Sequence, residues 1–554
     1  MKRLFTVIAL ALCAAGMFAL DARDFQAYEN NLSAKKGLPD LKLVQSASPA
    51  SGEYVMFITV YDWGPAVDRI VLNVGKKVKD SKLSAAAFDV DIVISTSSGK
   101  ADDGKGLIKG SRKVTKAYLT DKNGKAGEKD SQYVCLELES GPDISACNPF
   151  LQLPVTAKFD QAYGMRIENE KLGISITKRT AIVSPEAAKF TLSSYTYENG
   201  DEDIELGSLS WLPDKKGRKP LLIWLHGTDD SAATNPYMPV LSCKSARLAG
   251  DDIQKHFPNG AAVLIPQCPG SWLESTTVDK YGFRIWIPAE IGETIHKITE
   301  PIWRFMHDIF SSSEANMDDS QTAKASYYTE ALKAMIDDFV KKNPEIDRER
   351  ICIMGAGSGG YMALNMCVEY PDFFAAAVPV SEEYPDSKLT DSEIANLAQM
   401  PLWFVYSTED KTVESGDFSE ATVKRLKEEK PADLRQSVYK DISVKSESGK
   451  GKKETYDAHE CWIPLLRDEC AEGRTRLFDW LSKQTLGRRE LLDTGREADS
   501  DTDDDKDVSV PDEDKGSGSR RDRGRKRDKD NRKDEPTPKD DDDWGITDTP
   551  PVIL

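Results

Sequence analysis

Short apolar runs separated by polar turns dominate the first third of the chain. Residues 54–61, 70–74, 88–94 and 133–138 alternate or run apolar over short lengths, and clusters such as Thr120-Asp121-Lys122-Asn123-Gly124 lie between them. A period of two places successive side chains on opposite faces of a strand, so these runs predict half-buried strands. Strands this short, spaced by polar turns, predict a β-sandwich over residues 24–187. The segment contains no histidine, which points to an accessory module.

From about residue 189 the rhythm changes. Runs 220–225 and 261–265 are apolar throughout, as suits strands covered on both faces. Residues 331–342 place Leu332, Met335, Ile336, Phe339 and Val340 on one helical face. A strand at 351–354, a helix at 360–369, strands at 375–380 and 402–406 and a helix at 475–483 follow. The pattern predicts an α/β domain over 189–486, a mostly parallel sheet with helices on both faces. Residues 286–326 interrupt it with Trp286, Trp303, Phe305 and Phe310 among polar residues. They form either a cap over the sheet's carboxyl edge, where ligands bind in open α/β folds, or a surface helix that packs its own aromatics.

The two ends read differently. Met1-Lys2-Arg3 followed by the apolar stretch 4–20 has the form of a secretory signal peptide, with Ala19 or Ala22 as the cleavage point. The expectation is a signal over 1–22, export to the periplasm or medium, and no membrane span after cleavage. Residues 487–554 carry an acidic block at 497–514, a basic block at 520–533 and Asp540 to Asp543. Such charge runs predict a disordered, solvated tail, with any partner unknown.

Composition narrows the function classes. A formal net charge of −19 argues against nucleic-acid binding. Export permits disulfides, and Cys135/Cys147, Cys243/Cys268 and Cys461/Cys470 are the candidate pairs by proximity in sequence. Cys352 and Cys367 fall on apolar elements and read as buried small hydrophobes. There is no C-x-x-C pair, and the five histidines show no ligand spacing, so neither a metal nor a cofactor is expected.

Residues 350–361 have the form of a strand-turn-helix corner that carries a nucleophilic serine. In such an elbow, small residues two before and two after the nucleophile allow the sharp turn. Counted from Gly355, the nucleophile position falls on Gly357. Counted from Ala356 to Gly360, it falls on Ser358. The strand that begins at Arg350 and the Gly359-Gly360-Tyr361 helix start favour Gly357, although a corner with four glycines permits a slip of one residue.

Four ordered segments together carry a resemblance. They are 221–227, ending in Leu225-His226-Gly227; Pro266-Gln267-Cys268-Pro269 with Trp272; the elbow through 369–372 and 374–379; and 403–413 with His459-Glu460-Cys461-Trp462. Over roughly 190–485 this set resembles the extracellular esterases and predicted peptidases of the α/β-hydrolase family, polyhydroxybutyrate-depolymerase-like and feruloyl-esterase-like. Several members carry an Ig-like domain before the hydrolase. The resemblance implies an α/β-hydrolase fold and a nucleophile–acid–histidine triad in that chain order. Asp410 would orient the imidazole and His459 would be the general base. His226 would shape the oxyanion loop, with backbone amides among Gly227, Thr228 and Gly359 holding the oxyanion. The implied substrate is a small or polymeric carboxylic ester, a peptide less so. Asp229 and Asp230 depart from the family's neutral loop, since carboxylates there would oppose an oxyanion. Two readings follow: a serine hydrolase with a displaced nucleophile, Ser358, or a pseudo-hydrolase with Gly357 at the nucleophile position.

Overall fold

The computed structural model describes residues 42–95, 107–153, 156–160, 162–199, 203–230, 237–273, 326–447 and 453–487. The expected signal peptide, the charged tail beyond 487 and all but the last residue of the aromatic insertion lie outside them.

Residues 43–183 form two packed antiparallel-rich sheets. One runs Leu43–Val44, Lys178–Val183, Glu53–Tyr61, Gly64–Lys79, Asp130–Leu138, Val114–Thr120, and the other Ile174–Ile176, Ala162–Asn169, Asp89–Ser95, Leu107–Ser111. Alternation supplies the core. Tyr54, Met56, Ile58 and Val60 point inward with Ile70, Leu72, Val90, Ile92, Met165 and Ile167, while Val55 and Phe57 pack on the opposite face with Val71, Cys135 and Val183. The sandwich is joined to the following domain by charge as well as by packing. Buried Asp62 accepts from Arg467 at 2.7 Å and lies 3.5 Å from Lys244, which also pairs with Glu447. Charges this buried are tolerable only when paired.

The second domain is an eight-stranded sheet. Its strands are β1 (Thr191–Glu198), β2 (Asp203–Trp211), β3 (Lys219–Leu225), β4 (Ala262–Gln267), β5 (Ile346–Ala356), β6 (Ala376–Val380), β7 (Leu402–Ser407) and β8 (Leu434–Tyr439), in the order β1-β2-β4-β3-β5-β6-β7-β8. Strands β3 to β8 are parallel, and β1 and β2 are antiparallel to their neighbours. Every residue of β3 is buried because both faces are covered. Leu221, Ile223 and Leu225 face helix α1 (Thr329–Lys342) through Leu332 and Ile336, while Leu222 and Trp224 face the opposite layer. Helix α2 (Ser358–Glu369) leaves the end of β5 with almost all of its surface buried. No helix among the described residues is long and apolar enough to cross a membrane.

Two local expectations are corrected. The segment expected as a helix from 475 begins as a strand, Thr475–Arg476, paired with Ala471–Glu472 around Gly473 at φ +61°; the helix is Leu477–Leu481. The candidate disulfides are free, buried thiols instead. Their sulfurs are engaged locally: Cys147 with the Gly141 carbonyl, Cys243 with that of Pro239, Cys461 with that of Ala458, and Cys470 with the Tyr439 hydroxyl. Cys352 and Cys367 are each 1% exposed, as small hydrophobes of the sheet and helix.

Candidate active site

The carboxyl ends of β3, β5, β6 and β7 bring the candidate groups together, which is where loops of a parallel sheet converge. The expected acid and base, Asp410 and His459, are paired. Asp410 follows β7 in a tight turn, where its Oδ1 accepts the amides of Thr412 and Val413, each at 2.9 Å. Its Oδ2 accepts from His459 Nδ1 at 2.8 Å. A carboxylate held by three donors fixes the ring and assigns the proton to Nδ1, leaving Nε2 as the basic atom. The backbone around the ring is held too: the His459 amide donates to Asp457 Oδ1 and its carbonyl accepts from Ser381 Oγ, both at 2.8 Å. Burial acts to lower the His459 pKa, but the hydrogen bond and charge of Asp410, with Glu383 and Asp457 adding to them, outweigh it and hold the imidazole above its ordinary value.

At the loop expected to hold an oxyanion, His226 is fully buried after β3. Its Nε2 accepts the Cys268 amide at 3.0 Å, and its Nδ1 lies 2.8 Å from the Gly227 carbonyl. An amide can only donate, so Nε2 is unprotonated and Nδ1 carries the hydrogen. Burial pushes the pKa of His226 down, consistent with a neutral ring. Thr228–Asp230 then form one 3-10 turn that starts at the loop's Gly227 and Thr228. Asp230 is buried beside His226, and its charge partly offsets the downward push of burial on that ring.

The elbow turns at Gly357, with φ +56° and ψ −122°. Steric contacts fix this register. A Cβ on Gly355 would stand 2.3 Å from the Gly359 carbonyl oxygen, and one on Gly359 would stand 2.2 Å from that of Leu225. The two glycines that allow the close approach therefore lie two before and two after position 357, as the sharp strand-to-helix turn demands. The Gly357 amide donates to Val380 at 3.0 Å and its carbonyl accepts from Tyr361, which pins the corner between β6 and α2.

The consequence for the candidate nucleophile is direct. A Cβ at Gly357 would point to within 3.7 Å of His459 Nε2. Ser358 is instead the first residue of α2, fully buried, and its Oγ has no hydrogen-bond partner. The geometry does not bring Ser358 to the imidazole, because one residue along the chain reverses the direction of the side chain at a strand end. In the same register the amide following the turn is that of Ser358. Gly359 is the packing glycine against β3, so its expected place among the oxyanion donors is corrected. Glu383 also belongs to the site: its Oε1 is 3.0 Å from the Gly357 Cβ direction. The only trace of it in sequence was a Glu382-Glu383 pair just beyond the apolar run of β6. Among the described residues no group of three or more His, Cys, Asp or Glu side chains is arranged to hold a metal ion.

Comparison with known proteins gives the same architecture. Residues 53–189 match the esterase Ig-like N-terminal domain, and residues 295–449 match the phospholipase/carboxylesterase family. The two matches place an esterase Ig-like domain ahead of a carboxylesterase domain, on an α/β-hydrolase fold. No curated protein matches it. A solved thermostable esterase is similar over 78% of this chain and 99% of its own, at 20% identity and a TM-score of 0.53, which extends the shared fold across both domains. A ferulic acid esterase is similar over 50% of this chain and 95% of its own at 15% identity and a TM-score of 0.29. An acylaminoacyl peptidase of Pyrococcus horikoshii covers 51% and 42%, at 12% identity and 0.27. The last two are too distant in geometry to bear on the site of this α/β-hydrolase.

Proposed function

We propose that this exported α/β-hydrolase is a pseudo-serine hydrolase: its esterase-type site binds a carboxylic ester or related acyl ligand and forms no acyl-enzyme. The observation that carries this reading is Gly357 at the turn of the elbow, in the direction of His459 Nε2 at 3.7 Å, where the chemistry needs an oxygen nucleophile. The buried, unbonded Ser358 hydroxyl supports it, since a serine acts only when a base within hydrogen-bond reach takes its proton. Loss of the serine from a triad lowers turnover by about a million-fold, leaving oxyanion stabilisation and binding.

Fluorophosphonate labelling tests the reading. The wild type is expected to stay unlabelled, while Gly357→Ser gains a label that mass spectrometry maps to position 357. Labelling of the wild type that disappears in Ser358→Ala would instead make Ser358 the nucleophile. Export, inferred from residues 1–22, is tested by fractionation with N-terminal sequencing of the mature chain. A cytoplasmic chain that keeps Met1 would refute it.

A further inference from the structure

Just past β6 the chain delivers two consecutive carboxylates to the sheet's carboxyl edge, in different settings. Glu382 is fully buried; it accepts from Ser419 Oγ at 3.0 Å and from the Tyr384 amide at 2.6 Å, and burial pushes its pKa up to about 8. Its Cβ lies against the start of α2, 2.7 Å from the position a Gly360 Cβ would take. Glu382 therefore serves the packing of the corner.

Glu383 is half-buried and faces the site. Its Oε1 and His459 Nε2 lie 3.0 and 3.7 Å from one point, the Cβ position of Gly357. A carboxylate and a basic nitrogen thus flank the direction a serine side chain would take, and a water held beyond the Cβ position would have them as its two polar partners. We propose that Glu383 and His459 together activate water at the Gly357 turn, so that the site hydrolyses aryl esters of carboxylic acids by direct attack, without a covalent intermediate.

In the step, His459 Nε2 removes one proton from the water as its oxygen bonds to the acyl carbon. Glu383 accepts a hydrogen bond from the other hydrogen and stays ionised. The carbonyl electron pair moves onto oxygen, which faces the amides at the start of α2 and in the Gly227 loop. Collapse re-forms the carbonyl and breaks the bond to the aryloxide, which leaves with the electron pair and takes the proton from His459. The products are the carboxylic acid and the phenol. Glu383 is not the nucleophile in this scheme. A carboxylate is a weaker base than an aryloxide or alkoxide, so its adduct would expel the carboxylate and revert. Water in turn is a weaker nucleophile than an activated serine, which restricts turnover to esters with good leaving groups.

Steady-state hydrolysis of 4-nitrophenyl acetate by the full-length protein, pretreated with excess fluorophosphonate, is the test. The expected result is burst-free turnover that survives pretreatment and falls about a hundredfold in both Glu383→Gln and His459→Gln, the scale of one general base. Circular dichroism and thermal melting establish that the variants fold. A structural role for Glu383 would leave the pH profile in place. Here the profile rises as His459 loses its proton, and its midpoint moves to lower pH in Glu383→Gln because an anion beside the ring is gone. A single turnover in 18O-water should put label in the released acid and none in the peptide that carries Glu383. A folded wild type no faster than buffer overturns the proposal, as does full activity or an unmoved midpoint in Glu383→Gln, or label in Glu383. An unlabelled but inactive wild type defeats this proposal alone; fluorophosphonate labelling of the wild type defeats the pseudo-hydrolase reading as well.

Discussion

The acid–base side of the site and its nucleophile side are built to different degrees. Asp410 spends both oxygens on three donors, two amides and the His459 ring, and the ring is clamped again through its own amide and carbonyl. Across from it, the elbow has the full backbone of a nucleophile turn and no side chain at its apex, while the neighbouring serine is sealed in the helix start. The difference teaches that the sharpness of the elbow does not come from the nucleophile. It comes from Gly355 and Gly359, whose missing side chains let β5, α2 and the end of β3 touch.

The largest expected effect is a direct repair of the weaker side. Gly357→Ser places a hydroxyl toward His459, and nitrophenyl ester turnover should rise by at least about a hundredfold, part of the million-fold a complete triad supplies. The full gain is withheld by Glu383, whose Oε1 stands 3.0 Å from the new Cβ and must swing aside, so Gly357→Ser with Glu383→Ala should exceed the single change. If neither gains activity, the oxyanion side is not in working order and the contrast drawn above is incomplete.

Breaking the stronger side is the next test. In the Gly357→Ser protein, Asp410→Asn should remove most of the gained turnover, up to about ten-thousandfold, because the amide can no longer hold the imidazole tautomer with Nδ1–H. Unchanged activity would mean that the 2.8 Å pair is only structural.

The turn itself is probed by stability. Gly355→Ala and Gly359→Ala each force a Cβ to within 2.3 Å of backbone oxygen, so each should lower stability by about 1–3 kcal/mol or more in urea unfolding. Gly416→Ala, with nothing within 4 Å of the added atom, should change it by less than about 0.5 kcal/mol. Similar losses at Gly355 and Gly416 would remove the steric account of the register.

The smallest effect concerns pH. Glu382 titrates higher in the folded chain, about 8, than a carboxyl in the unfolded one, because burial disfavours its charge. Such a group gives stability that is complete below the unfolded value and is lost as pH rises toward 8. Glu382→Gln, which mimics the neutral acid, should therefore gain stability relative to wild type between about pH 5 and 8, read as a widening difference in urea midpoint. The raised His459 pKa acts with the same sign, and an NMR titration of the ring should place its midpoint above that of a free imidazole.

Much of this was legible from local pattern. The alternation of 54–61 and the unbroken apolar run of β3 already declare a half-buried strand and a fully buried one, since burial on one face or two is written in the period of the residues themselves. Asp410 after an apolar strand and His459 in a late loop could be expected to pair, as they do, because each stands at an element end in the right chain order. Glu383 could not be found this way. It reaches Gly357 only because β6 lies beside β5, and nothing in the spacing of 357 and 383 states that adjacency. The free thiols were equally hidden, since short sequence separation between cysteines says nothing about whether their local carbonyl and hydroxyl partners hold them apart.

By itself, then, the sequence determined a strand-rich segment followed by an α/β-hydrolase fold, because hydrophobic periodicity and ordered motifs are local properties. The register of the elbow, and with it which residue faces the histidine, was decided only in three dimensions. Gly355 and Gly359 are indispensable where they meet the backbone of α2 and β3, and those contacts exist only once the sheet has assembled.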